Sequence, residues 1–138
     1  MSGPNTQAAT VRGALKVFVV ENHDDTRWML TQLLSHWGHA VSSASTMHEA
    51  LEALPQVDPD VVVSDIGLPD GDGWQLMREL HLSHPVYAIA MSGYGMAADR
   101  ERSAAAGFRH HLVKPMDLDK LEGLLGEAAR ERTTLRDH

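Results

Sequence analysis

The sequence contains no cysteine, so disulfide bonds, thiolate metal sites and cysteine nucleophiles are all excluded. Long hydrophobic runs are also lacking. The longest apolar segments are far too short to span a bilayer, and residues 1–14 have no apolar core of the kind found in signal peptides. We therefore expect a soluble, cytoplasmic protein with no membrane partner.

Positive charge is scarce as well. The chain has 12 lysines and arginines against 19 aspartates and glutamates, a formal net charge of −7 at pH 7, and no basic stripe. Contact with a nucleic-acid backbone requires clustered lysine and arginine. We therefore expect no nucleic-acid partner.

The length and composition of the chain suit one compact domain. Its 138 residues, 43% of them hydrophobic, can bury a sizeable core but leave little room for a second domain. Residues 1–14 are small and polar, which predicts a mobile N-terminal tail. We expect the domain to occupy residues 15–130 and the charged residues 131–138 to form a frayed C-terminal tail.

Short apolar runs, rich in β-branched residues, predict strands of a buried sheet. The first and third runs are almost wholly apolar, as expected for central strands, whereas the second and fifth are more polar and suit the edges. The five runs are Lys16–Val20, Ala40–Ser43, Val61–Ser64, Val86–Met91 and Phe108–Val113.

Helical patterns follow each run. Apolar residues repeat at helical spacing over residues 30–37, with Asp24 or Asp25 as candidate N-caps, and Thr46 with Glu49 reads as a capping box. Further helices are predicted around residues 74–80, 96–106 and 117–125. A strand–helix unit repeated five times predicts an α/β domain, with a doubly wound parallel sheet and helices on both faces. The tryptophans at 28, 37 and 74 are predicted to pack in the core or between helices.

Polar side chains stand at the carboxyl ends of four predicted strands. They are Glu21 with Asn22, Asp65, Ser92 and Lys114. The carboxyl ends of parallel strands share one edge of a sheet, so these residues are expected to meet in a single cleft. Carboxylates can ligate a hard divalent cation while hydroxyl and ammonium groups hold phosphoryl oxygens. The pattern therefore predicts a site for a cation and a phosphoryl group.

The segments around these residues resemble the receiver domain of two-component response regulators, the CheY-like family. The matching segments are VFVVEN at 17–22, VVVSDIGLPDGDGW at 61–74, AMSGYG at 90–95 and AGFRHHLVKP at 106–115. The resemblance implies a flavodoxin-like sheet of strand order 2-1-3-4-5. It also implies a phosphorelay partner, either a histidine kinase or a histidine phosphotransfer domain, and a downstream protein target that the sequence does not name. Such a domain phosphorylates itself and slowly loses the phosphate, but turns over no separate metabolite.

The resemblance assigns roles to individual residues. Asp65 would accept the phosphoryl group from a phosphohistidine, which is nucleophilic catalysis by a carboxylate. Lys114 and Ser92 would contact the phosphoryl oxygens, and the Lys114–Pro115 peptide would be cis. Ser92 would also act as a switch, together with His111, which stands where the family often has a switching aromatic residue.

The same resemblance implies a Mg²⁺ site formed by Glu21, Asn22, Asp65 and the backbone carbonyl of Gly67. Family members usually carry two acids where this chain has Glu21 and Asn22. An amide oxygen can ligate Mg²⁺, but it supplies a dipole in place of a charge. We therefore expect weakened metal binding and slower phosphorylation.

Several alternative interpretations remain open. Asp65 could cap a loop, Ser92 could serve turn chemistry, and His111 could be an ordinary strand residue. Because of Asn22, the chain could be a pseudo-receiver, a protein-interaction module that works without phosphorylation. A metal-dependent aspartyl phosphatase is disfavoured because Gly67, two residues after Asp65, cannot be a general acid.

Other ligands and assemblies are less well supported by the sequence. The loop after the first strand lacks the donors that would hold a flavin phosphate. His110 and His111 are adjacent on a strand and so point to opposite faces, which argues against a shared zinc ion. A weak homodimer is compatible with the sequence, and so is either a stand-alone regulator or the receiver piece of a hybrid kinase.

Overall fold

The computed structural model describes residues 14–93 and 97–136, with side chains described up to residue 132. The predicted mobile tail therefore lies almost wholly outside the described residues. Within them, five strands form the main sheet: β1 Lys16–Val20, β2 Ala40–Ala44, β3 Val61–Asp65, β4 Tyr87–Ser92 and β5 His110–Val113. Within the described residues, five helices alternate with these strands: α1 Asp24–His36, α2 Met47–Val57, α3 Gly73–Glu79, α4 Ala97–Ala106 and α5 Leu118–Arg136.

The sheet is parallel throughout, with strand order β2-β1-β3-β4-β5. The predicted fold class and strand order are thus confirmed. All five residues of β3 are buried, whereas the edge strands β2 and β5 contain exposed residues. Strands covered on both faces are apolar along their whole length, which is why the central runs were so clear in the sequence.

The side chains of β1 alternate between two layers of the core. Val17 and Val19 pack with Leu30 of α1 and Leu125 of α5 on one face of the sheet. Phe18 faces the opposite layer. The second layer joins α2 and α3 to the sheet through Val20, Ala50, Leu54, Val62 and Leu76. Helices therefore cover both faces of the sheet.

The N-cap predicted from the sequence is observed at α2 but not at α1. Thr46 Oγ1 accepts a hydrogen bond from the backbone N–H of Glu49 at 3.1 Å. In return, the Glu49 carboxylate accepts one from the backbone N–H of Ser45 at 2.9 Å. The N-cap of α1 is His23, and its side chain makes no capping bond. The prediction that Asp24 or Asp25 caps α1 is therefore wrong. Both lie in the first turn, where a carboxylate also interacts favourably with the helix dipole.

Two other details differ from the sequence predictions. Helix α5 continues to Arg136, beyond the predicted domain end at residue 130, so residues 131–136 are helical. Ion pairs join this last part to the sheet: Arg109 with Glu131 at 2.6 Å and Arg132 with Asp60 at 2.9 Å. Trp28 is 67% exposed, so the prediction that it packs in the core is wrong. Among the described helices, none is long and apolar enough to cross a membrane.

Candidate functional site

Three charged side chains from distant parts of the chain meet at the carboxyl edge of the sheet. Glu21 directly follows β1, Asp65 is the last residue of β3, and Lys114 directly follows β5. The Lys114 ammonium donates to Glu21 Oε1 at 2.7 Å and to Asp65 Oδ2 at 2.9 Å. The predicted convergence of these three residues is thus observed, because the parallel strands end at the same level.

Burial makes the electrostatics of this cluster unusual. Glu21 is 0% exposed and Asp65 only 6% exposed, so both carboxylates have lost most of their contact with water. Burial raises the pKa of Asp65, and the negative charge of Glu21 raises it further. The hydrogen bond from Lys114 acts in the opposite sense but does not outweigh them, so the pKa of Asp65 is raised. For Glu21, burial is outweighed by hydrogen bonds from Lys114 and His23, and the pKa is lowered. The pKa values of the two carboxyl groups are therefore shifted in opposite directions, that of Glu21 downward and that of Asp65 upward.

His23 joins the cluster, which the sequence reasoning missed. Its backbone N–H donates to Glu21 Oε2 at 2.9 Å, and its ring Nδ1 lies 3.1 Å from the same oxygen. One ligand atom each from Glu21, His23 and Asp65 lie within 4.8 Å of one another. Two buried carboxylates and an imidazole form a donor set that fits a divalent cation.

The other two residues predicted to bind metal, Asn22 and Gly67, are exposed to solvent. Asn22 is exposed at the turn between β1 and α1. Gly67, also exposed, begins a two-residue strand that pairs with Gly71–Asp72. The start of α3 packs closely against the end of β3, because a Cβ on Gly73 would lie 2.7 Å from the Asp65 carbonyl oxygen. Close packing at Gly73 therefore fixes the backbone immediately after Asp65.

Ser92 and Lys114 are neighbours at the end of the sheet. The Lys114 backbone N–H donates to the Ser92 carbonyl at 2.8 Å, and the pairing of β4 with β5 places Ser92 opposite Val113. The Lys114–Pro115 peptide is cis, as the resemblance implied. Ser92 is therefore at the same edge of the sheet as the charged cluster.

A chain of hydrogen bonds leads from Ser92 into the core. Ser92 Oγ lies 2.7 Å from His111 Nε2, and His111 Nδ1 lies 2.8 Å from Ser103 Oγ. Ser103, which is 1% exposed, also accepts the indole N–H of Trp74 at 2.9 Å. His111 thus connects β4 to α4 and α3. Sequence reasoning missed Ser103, although a single serine among the alanines of α4 was a signal.

The neighbouring His110 points the other way. Its Nε2 lies 2.9 Å from the Tyr87 hydroxyl, on the face of the sheet covered by α5. The prediction that His110 and His111 face opposite sides is confirmed. The two imidazoles therefore have separate surroundings.

Comparison with known proteins identifies the class to which this fold and site belong. The family model of the response regulator receiver domain matches residues 17–125. The chain therefore belongs to the receiver domain family of two-component response regulators. These domains are signalling modules, and response regulators have histidine kinases as partners.

Individual relatives and structures are consistent with this assignment. An uncharacterised 14.6 kDa protein from Leptolyngbya boryana is 35% identical over 106 residues, which are 75% of this chain and 81% of that protein. The KDP operon transcriptional regulatory protein KdpE of Escherichia coli is 32% identical over 122 residues, 88% of this chain and 52% of KdpE. The chain thus spans about half the length of that regulator.

Among solved structures, the receiver domain of the sensor histidine kinase PA1611 from Pseudomonas aeruginosa has the same fold. The TM-score is 0.75 at 23% sequence identity, over 84% of this chain and 98% of that one. That structure contains a magnesium ion coordinated in its active site cleft.

Proposed function

We propose that this chain is a phosphoryl-accepting receiver and that Asp65 is the residue phosphorylated. The observation that carries the proposal is the position of the Lys114 ammonium, 2.9 Å from Asp65 and 2.7 Å from Glu21 at the carboxyl edge of the sheet. An ammonium held beside a nucleophilic carboxylate can stabilise the charge that develops on phosphoryl oxygens. Membership of the receiver family supports the same role.

In the proposed reaction, a carboxylate oxygen of Asp65 attacks the phosphorus of a phosphohistidine on a partner kinase or phosphotransfer domain. The new bond joins Asp65 oxygen to phosphorus, the nitrogen–phosphorus bond breaks, and the electron pair returns to the imidazole of the partner. Lys114 donates to a phosphoryl oxygen. A divalent cation, Mg²⁺ in the relative PA1611, would be held by Glu21, Asn22, Asp65 and the Gly67 carbonyl and would neutralise phosphoryl charge.

Ser92 and His111 are the proposed switch. The Trp74 indole can only donate, so Ser103 Oγ accepts from it and can use its own hydrogen for Nδ1 of His111. With Nδ1 accepting that hydrogen, the ring proton of His111 lies on Nε2, which can donate to Ser92 Oγ. A phosphoryl group at Asp65 would compete for Ser92, and the hydrogen-bond chain would carry that change toward α4 and α3.

The finer features of the signalling role are proposals of the same kind. We propose that the domain from residue 15 to the end of α5 is the phosphorylated unit and that a downstream protein reads its conformation. The absence of a nucleic-acid partner stays a prediction, since KdpE is by name a transcriptional regulator and this chain matches only part of it. A weak homodimer also remains a prediction.

The experiment is intact-mass spectrometry of the full chain after incubation with Mg²⁺ and acetyl phosphate. One added phosphoryl group is expected for the wild type and none for Asp65→Asn. Asp70→Asn is the matched control, because Asp70 is an exposed acid in the same loop and should leave phosphorylation intact. An adduct that persists in Asp65→Asn would refute the assignment.

One observation favours a second function, a pseudo-receiver that signals without phosphate. Asn22 is exposed and stands where family members usually carry an acid, so the cleft has one negative charge fewer for a cation. This function predicts no adduct for the wild type and recovery of phosphorylation in Asn22→Asp. An adduct of similar yield in both proteins would exclude it.

A further inference from the structure

The imidazole of His23 is held at the mouth of the acidic cleft. Its side chain is 72% exposed, yet Nδ1 turns toward the fully buried Glu21 carboxylate and lies 3.1 Å from Oε2. The backbone N–H of His23 donates to the same oxygen at 2.9 Å, which fixes the start of α1 against Glu21. His23 therefore faces the cleft because the backbone directs it there, while its exposure keeps it accessible to ions.

The spacing of these atoms matches a coordination sphere. Ligands that bind one ion at about 2.0–2.2 Å lie about 3.0–3.5 Å from each other in octahedral or tetrahedral geometry. Nδ1 and Oε2 are 3.1 Å apart, and one ligand atom each from Glu21, His23 and Asp65 lie within 4.8 Å of one another. Small side-chain movements would place all three around a single ion.

Lys114 does not compete for the oxygen that His23 contacts. The Lys114 ammonium bonds to Glu21 Oε1, whereas the His23 ring bonds to Oε2. The two side chains therefore contact different oxygens of the Glu21 carboxylate. An ion on the His23 side therefore leaves the Lys114–Glu21 contact in place. The Glu21 and Asp65 carboxylates would then each contact both the ion and the ammonium.

We propose that His23 is a ligand of the cation site together with Glu21 and Asp65, so that the site prefers ions that accept imidazole nitrogen. Mg²⁺ favours oxygen ligands, whereas Co²⁺, Zn²⁺ and, less strongly, Mn²⁺ gain from an imidazole. The imidazole nitrogen adds a neutral ligand atom and does not replace the negative charge that the cleft lacks at Asn22. This inference rests on the proposed function only in taking the same acidic cleft as the cation site.

The first test is isothermal titration of the full chain with Co²⁺ and with Mg²⁺. We expect Co²⁺ to bind at least about 100-fold more tightly than Mg²⁺, and His23→Ala to weaken Co²⁺ binding about tenfold or more. The affinity for Mg²⁺ should change less than about threefold in His23→Ala, because Mg²⁺ makes little use of the imidazole. His48→Ala is the matched control, since His48 is 75% exposed on α2, and it should bind both ions as the wild type does.

The second test identifies the ligand directly. Pulsed electron paramagnetic resonance of bound Mn²⁺ should detect coupling to a ¹⁴N nucleus in the wild type and in His48→Ala, and none in His23→Ala. Excess Mg²⁺ should displace the signal, which shows that Mn²⁺ occupies the acidic cleft and not another histidine.

Two results would overturn the inference: wild-type Co²⁺ affinity in His23→Ala, or no ¹⁴N coupling in the wild type. Failure here is distinguishable from failure of the proposed function. Normal phosphorylation of Asp65 with Mg²⁺ but no effect of His23→Ala would retain the function and reject the third ligand. Nitrogen coupling from His23 without any phosphorylation would retain the ligand and reject the function.

Discussion

The hydrogen bond between Trp74 and Ser103 gives a quantitative prediction. The indole N–H donates to Ser103 Oγ at 2.9 Å, and both residues are buried, at 9% and 1% exposure. Replacing Ser103 by alanine leaves the indole N–H without an acceptor, which costs about 1–3 kcal/mol. The lost bond to His111, which is half-buried, adds about 0.5–1.5 kcal/mol. We expect Ser103→Ala to lower the free energy of unfolding by about 1.5–4.5 kcal/mol.

A double-mutant cycle separates these contributions. In Trp74→Phe the buried donor is gone, so adding Ser103→Ala should then cost only the bond to His111. The coupling energy between the two substitutions should therefore be about 1–3 kcal/mol. Urea unfolding followed by circular dichroism measures all four free energies.

The matched control is the cycle of Ser103→Ala with Trp28→Phe. Trp28 is 67% exposed on α1, and its coupling to Ser103 should be below about 0.5 kcal/mol. A coupling energy near zero for Trp74 with Ser103 would refute the hydrogen-bond chain and, with it, the proposed route from Ser92 into the core.

Three further predictions test the site and its support. Lys114→Met removes the cation shared by two buried carboxylates, and urea unfolding should show a loss of about 3 kcal/mol; a change below about 1 kcal/mol would contradict the buried ion pairs. Asp70 accepts backbone N–H groups at the start of α2, and these hydrogen bonds lower the pKa of its carboxyl group below 3.8. The ionised carboxylate therefore stabilises the fold above pH 3.8. This stabilisation is lost as the pH falls through the lowered pKa. The stability difference between wild type and Asp70→Asn should therefore be present at pH 7 and shrink below pH 3.8 in thermal unfolding; a constant difference would contradict this. Gly73→Ala should lower the free energy of unfolding by about 1–3 kcal/mol, because the new Cβ would lie 2.7 Å from a carbonyl oxygen. Gly67→Ala should not lower it in this way, because a Cβ there would have nothing within 4 Å. Equal unfolding midpoints for the two variants would contradict the close packing at Gly73.

The fold and the centre of the site could be predicted because both follow from a regular pattern. Apolar runs mark strands, the alternation with helices makes the sheet parallel, and the shared edge then brings Glu21, Asp65 and Lys114 together. None of this depends on the conformation of a particular turn. The sequence predicted that these three residues would lie close together. It did not predict the individual hydrogen bonds of Lys114, at 2.7 Å to Glu21 and 2.9 Å to Asp65.

The remaining features depend on local geometry. His23 reaches Glu21 because the backbone turns at the start of α1, and the hydrophobic period carries no information about that turn. The hydrophobic period did not indicate that α5 continues to Arg136, where Glu131 and Arg132 form ion pairs with distant residues. The exposure of Trp28 could have been predicted, since it does not share the face of the helical repeat that contains Leu30 and Leu34.

The most direct test of the central claim is to locate the phosphoryl group within the chain. The protein is treated with acetyl phosphate and Mg²⁺ and then reduced with borohydride, which converts an aspartyl phosphate into homoserine; peptide mass spectrometry finds the altered residue. The account predicts homoserine at position 65 in the wild type and no converted residue in Asp65→Asn. Conversion at another acid, such as Asp70, or no conversion although phosphate is incorporated, would contradict it.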